Sequence, residues 1–144
     1  MCGFTGFVSR SAPDKKVLQA MGDTIRHRGP DGEGFYADEH CGLAHRRLSF
    51  LDLSNGHQPM VSPDGRYVIA YNGEAYNYRE LRQELIAAGH SFQTNCDTEV
   101  LLHCYMEWGP EMTRRLRGMF AFVIWDRERQ ELYGARDPFG IKPF

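Results

Sequence analysis

The run GMFAFVIWD at 118–126 constrains this chain more than any other segment. Successive side chains of a strand point to opposite faces, and this run has almost no polar alternation, so both faces of the strand need cover. A sheet with one face in water cannot supply that. The strand therefore calls for an internal sheet layer with further layers on either side of it. The 144 residues, near the commonest size for one domain, are enough to bury such a core without staples.

The remaining patterns fit this layering. Residues 2–8, CGFTGFV, read as a buried strand. From Asp14, the stripe Val17, Leu18, Met21 and Ile25 predicts a helix that ends near His27, where RHRGPDGEG forbids continuation. GFYAD and CGLAHRRLSF read as a hairpin around Glu39, followed by a glycine- and proline-marked loop from Asp52 to Pro59. SPDG at 62–65 is a turn, and RYVIAYNGE is a strand. Asn77 with Glu80 forms an N-x-x-E box opening a helix with Leu81, Leu85 and Ile86 on one face and Gly89 at its end. A further helix starts near Asp97 or Thr98, carries Leu101, Cys104, Tyr105 and Trp108 on one face, and stops at Gly109-Pro110. GMFAFVIWD and ELYGARD pair across Arg127–Gln130. About six strands and their helices, joined by short turns, predict helices covering antiparallel sheets in one domain, 1–144.

Composition narrows the function classes. Seventeen basic against nineteen acidic residues give a net charge of −2, which provides no basic field for nucleic acid. No apolar run approaches the ~20 residues of a membrane span. The four cysteines, at 2, 41, 96 and 104, form no C-x-x-C pair, and no secretory leader precedes them. That pattern fits a reducing, cytoplasmic setting. The six histidines make no metal-ligating spacing, and there is no G-x-x-x-x-G-K-[ST] loop to cradle a nucleotide.

The second residue carries the most chemistry. Trimming of Met1 would leave Cys2 with a thiol and a free α-amine on the same residue, a nucleophile with its own base. The competing reading is a small buried hydrophobe in the first strand. Asn72-Gly73, at the end of a strand, can present a side-chain amide and a backbone N–H in one direction, the pair an oxyanion needs, or can be an ordinary turn dipeptide. Arg47 offers a two-pronged contact for a carboxylate, and Glu74 or Asp97 can hold an ammonium. Alternatively, Arg47 is a solvated arginine and Asp97 a helix cap. RHRGPD at 26–31 reads as a rigid turn whose side chains brace neighbouring loops.

MCGFTGF, RHRGPDGEG, AHRRLSFLD, YNGEAYNY, DTE, GMFAFVIWD and RDPFGIKPF together resemble the N-terminal glutaminase domain of glutamine-hydrolysing asparagine synthetase. That domain is a class II glutamine amidotransferase of the N-terminal nucleophile hydrolase superfamily. The resemblance runs the length of the chain. It implies an α+β fold, a four-layer αββα sandwich of two antiparallel sheets covered by helices. It also implies hydrolysis of the L-glutamine side-chain amide, with Cys2 as nucleophile and Asn72 and the Gly73 N–H as the oxyanion hole. Arg47 would bind the α-carboxylate, Glu74 and Asp97 the α-amine, and Leu48, Ser49, Phe50 and Leu51 would wall the pocket. Phe50 and Ala75 stand where that family usually has isoleucine, a change of pocket shape and not of chemistry.

The same resemblance implies further strands and a C-terminal synthetase domain beyond KPF, both absent here. ATP and magnesium belong to that domain, and no cofactor is expected in this one. Open sheet edges would then invite a second copy, giving a homodimer. Three other readings stay open: another class II amidotransferase, a non-catalytic glutamine-binding module, and a structural protein with Cys2 in its core.

Overall fold

The computed structural model describes residues 1–48 and 56–144. In chain order these form β1 (Gly3–Val8), α1 (Lys15–Thr24), a short 3-10 turn (Arg26–Arg28), β2 (Gly32–Ala37), β3 (Cys41–Arg47), β4 (Met60–Val61), β5 (Tyr67–Ala75), α2 (Tyr78–Ala87), α3 (Asp97–Trp108), a second 3-10 segment (Gly109–Arg114), β6 (Gly118–Asp126) and β7 (Glu131–Arg136). The strands make two antiparallel sheets, ordered β1-β3-β2 and β4-β5-β6-β7.

The alternation of side chains explains why β6 has no polar face. Its Val123 and Trp125 join Val68 and Ala70 of β5 and Cys41 and Leu43 of β3 in a core between the two sheets. Its Phe120, Phe122 and Ile124 pack on the other side with Ile69 and Tyr71 of β5, Leu81 and Leu85 of α2, and Val100, Leu101 and Cys104 of α3. On the far face of the first sheet, α1 lays Leu18 and Gly22 against β3 at Gly42 and Ala44. The layers are therefore helix, sheet, sheet, helices, the αββα sandwich expected from the sequence.

Local differences have identifiable causes. Asp14 caps α1 by accepting the Lys16 N–H at 2.8 Å, but the helix ends at Thr24 and tightens into the 3-10 turn before reaching His27. The expected N-x-x-E box is not made. Asn77 instead accepts the Arg117 N–H at 2.9 Å and donates to the Arg115 carbonyl at 2.9 Å, tying the start of α2 to the segment before β6. Strand β4 is an addition to the sequence expectation: two residues with no periodicity to announce them. Part of the predicted 52–59 loop, through residue 55, lies outside the described residues.

Candidate active site

Cys2 stands immediately before β1, whose register pairs Gly3 with Arg46 of β3. The thiol is thereby brought to where β3 ends. Its Sγ accepts the Leu48 N–H at 3.3 Å and lies 3.5 Å from the Leu48 carbonyl. Behind it, Arg28 of the RHRGPD turn donates from Nε to the Cys2 carbonyl at 3.1 Å, which gives that turn the bracing role expected of it. Arg28 Nη2 is buried without a hydrogen-bond partner among the described residues. Met1 is 58% exposed.

Cys2 opens onto a narrow cleft between the ends of the two sheets. Arg47, Leu48, Gly73 and Asp97 line the same cleft, so five of the sequence-predicted residues converge from β1, β3, β5 and α3. Asn72 does not. It alternates to the other face of β5, is 4% exposed, and lines an adjoining cavity of about 540 Å³ together with Gly3 and Arg28. Glu74 is half-buried and outside the cleft lining, close enough to Asp97 to feel the charge of that carboxylate. Ser49, Phe50 and Leu51 lie outside the described residues. Gly73 has no room for a side chain, since a Cβ there would stand 2.3 Å from the Met119 carbonyl oxygen across the β5–β6 ladder.

Asp97 is the best-anchored member. As the first residue of α3 it is 7% exposed, and its Oδ2 accepts the Tyr71 hydroxyl at 2.7 Å and the Ala75 N–H at 3.1 Å. Burial pushes its carboxyl above the usual range, while these donors and the Thr98 N–H pull the other way. Burial, then the charge of Asp97, raises Glu74 as well, partly offset by Lys142. Tyr71 is driven well above an ordinary phenol by burial and by Asp97, so it stays a neutral donor. Asp97 is not the cap residue of α3, a position that Cys96 holds; it is the first residue of the helix, and it lines the cleft.

Sequence reasoning missed five residues of the lining: Gly56, Gln58, Tyr71, Cys96 and Thr98. Tyr71 reads as core because it is in part core. Thr98 could have been found one position after Asp97, on the same helix start. Cys96 has its thiol 3.0 Å from Thr94 Oγ1, and burial raises its pKa, which keeps it protonated and a poor nucleophile. Gln58 precedes a proline in an irregular segment and carries no periodic signal.

A thiol, a guanidinium, a buried carboxylate and a backbone N–H in one cleft can engage a free amino acid and attack its side chain. With two antiparallel sheets faced by helices, this is the architecture of N-terminal nucleophile amidotransferases. The fold of the glutamine phosphoribosylpyrophosphate amidotransferase from B. subtilis, solved with ADP and GMP, matches it with a TM-score of 0.75 at 23% identity, over 99% of this chain and 38% of that one. The sequence pattern of the glutamine amidotransferase domain matches residues 1–144, and this chain belongs to that family. Among its relatives, asparagine synthetase [glutamine-hydrolyzing] 1 of Bacillus subtilis is 50% identical over 148 residues, covering 99% of this chain and 23% of that protein. Asparagine synthetase 3 of the same organism is 44% identical over 149 residues (100% and 24%), and the Zea mays asparagine synthetase 40% over 146 (99% and 25%). The chain thus spans about a quarter of the length of these relatives.

Proposed function

We propose that this chain is the glutaminase unit of an asparagine synthetase, hydrolysing the side-chain amide of L-glutamine to glutamate and ammonia. The observation that carries the proposal is the convergence of the Cys2 thiol with Arg47, Gly73 and Asp97 on one cleft. Identities of 40–50% to glutamine-hydrolysing asparagine synthetases favour that assignment over other amidotransferases of the class.

With Met1 removed, the Cys2 thiol gives its proton to its own α-amine and the sulfur attacks the amide carbon. The carbonyl electrons move onto oxygen, and the oxyanion is held by the Gly73 N–H and by the Asn72 side-chain amide, which must turn toward it from the adjoining cavity that Gly3 also lines. The proton returns from the α-ammonium to the departing nitrogen, the C–N bond breaks, and ammonia leaves a γ-glutamyl thioester. Water loses a proton to the same amine and attacks that thioester. The C–S bond then breaks, the thiolate recovers its proton, and glutamate is released. Arg47 takes the α-carboxylate; Asp97 and Glu74 take the α-ammonium; Leu48, with Ser49, Phe50 and Leu51, walls the pocket. Amide hydrolysis by this route consumes only water and calls on no cofactor.

The ammonia would serve a synthetase domain that uses ATP and magnesium, supplied by the longer protein. A homodimer through the outer strands β1 and β7, each terminal in its sheet, is read out by sedimentation equilibrium; a monomer at all concentrations overturns it. The four unpaired cysteines support a reducing, cytoplasmic setting, and no described helix is long and apolar enough to cross a membrane.

The deciding experiment is reaction with a glutamine-analogue electrophile followed by intact mass and peptide mapping. Modification of Cys2 in a chain that has lost Met1, with loss of glutamate release in Cys2→Ala, is the expected result. Modification elsewhere, or full glutamine hydrolysis by Cys2→Ala, overturns the assignment.

A further inference from the structure

We infer that Gln58 is a positioning residue of the glutamine cleft: its side-chain amide replaces the backbone rung at which β4 stops and ties β5 to the first turn of α3. This rests on the glutaminase reading above. The register carries the argument. Strand β4 pairs Met60 with Ile69 and Val61 with Val68, so the same antiparallel ladder would bring residue 58 opposite Tyr71. The strand has ended there, and Gln58 Oε1 accepts the Tyr71 N–H instead, at 2.7 Å.

The other end of the same amide donates to Thr98 Oγ1 at 3.3 Å, one residue beyond Asp97. Gln58, Tyr71, Asp97 and Thr98 all line the cleft. The backbone of Gln58 is fixed from the opposite side. Its carbonyl oxygen lies so close to Gly34 of β2 that a Cβ there would stand 1.9 Å away. The residue is thus clamped between the two sheets where the chain passes from the cleft at Gly56 into β4.

Tyr71 is held at three points: its N–H by Gln58, its carbonyl by His45 Nε2 at 2.9 Å, and its hydroxyl by Asp97. Loss of the Gln58 amide leaves a strand N–H without its acceptor and frees both Tyr71 and Thr98 to shift. Asp97 then loses the fixed geometry with which it meets the substrate ammonium. A residue acting this way changes substrate capture and leaves the bond-breaking step, which belongs to Cys2, largely intact.

The test is steady-state glutaminase kinetics on the full chain for Gln58→Met, Gln58→Glu and Thr98→Val. Loss of one such hydrogen bond predicts a KM for glutamine raised about tenfold in Gln58→Met, with kcat within about threefold of the parent. Gln58→Glu keeps an acceptor for the Tyr71 N–H and should recover most of the KM effect. Thr98→Val removes only the α3 arm and should raise KM by about threefold. An unchanged KM in Thr98→Val, or a kcat loss in Gln58→Met as large as its KM gain, overturns the inference even if Gln58→Met folds poorly. If the parent chain itself releases no glutamate and its Cys2 resists the glutamine-analogue electrophile, the glutaminase reading fails, a result distinct from these.

Discussion

Acidification should unload one buried imidazole in a way that can be counted. His45 of β3 is 1% exposed, sits between the sheets, and donates from Nε2 to the Tyr71 carbonyl at 2.9 Å. Burial pushes its pKa down to about 4; the bond to Tyr71 opposes this and the nearby Arg47 charge adds to it. In the unfolded chain the same group titrates near ~6.5. Because the folded value is the lower, the unfolded state takes up the proton first, and His45 contributes stability that is complete above ~6.5 and declines toward pH 4. At pH 5 the loss is 1.5 pH units at ~1.36 kcal/mol each, about 2 kcal/mol, a substantial share of a typical domain stability of roughly 5–15 kcal/mol. The control is His45→Gln, whose side-chain N–H can still serve the Tyr71 carbonyl but does not titrate. Urea unfolding followed by tryptophan fluorescence at pH 7 and pH 5 gives the difference between parent and variant, in which every other titrating group cancels. That difference should shrink by about 2 kcal/mol on going to pH 5. A difference constant to within ~0.5 kcal/mol would refute the reasoning.

Three further outcomes are expected. Asn72→Ala, removing one of two proposed oxyanion donors, should lower kcat by about 10²- to 10³-fold with little change in KM; a variant within tenfold of the parent would remove Asn72 from the reaction. Burial raises Asp97, and burial with the charge of Asp97 raises Glu74, so the charged forms that would hold an ammonium are lost at a higher pH than for solvated carboxylates, and the glutamine KM should climb on mild acidification. A KM independent of pH down to the ordinary carboxylate range would count against their role. Gly73→Ala should destabilise the fold by ~2 kcal/mol or more, because its methyl would meet backbone at Met119 and Phe120, 2.3 and 2.7 Å away; an unchanged melting temperature would contradict that.

The sandwich was legible because its signals are periodic or local. Double-sided burial of 118–126, the stripe on α3 and the glycine stops after α2 and α3 each state a local rule that the tertiary structure also obeys. The site was legible only in part. Cys2, Arg47, Gly73 and Asp97 belong to recognisable motifs, and β1–β3 pairing brings the first two together. Gln58 has no such signal, because its role arises from where β4 stops and from contacts with Tyr71 and Thr98, 13 and 40 residues away in sequence. Asn77 failed as a cap for a similar reason: two long-range partners on the segment before β6 outcompeted the local box.

One residue shows why the cleft cannot be separated from the core. Tyr71 packs its ring with the β5–β6–α2–α3 cluster, while its hydroxyl, N–H and carbonyl hold Asp97, Gln58 and His45 in turn. Burial keeps that phenol neutral, and only a neutral phenol can donate to a carboxylate. The apolar packing that stabilises β5 therefore also fixes the charge state of the group beside Asp97. A substitution such as Tyr71→Phe would keep most of the packing and remove the hydroxyl alone. Asp97 would retain the Ala75 N–H but lose the shorter of these two bonds, so the variant should fold while binding glutamine less well. Equal losses of stability and binding would mean that Tyr71 serves the core and nothing more.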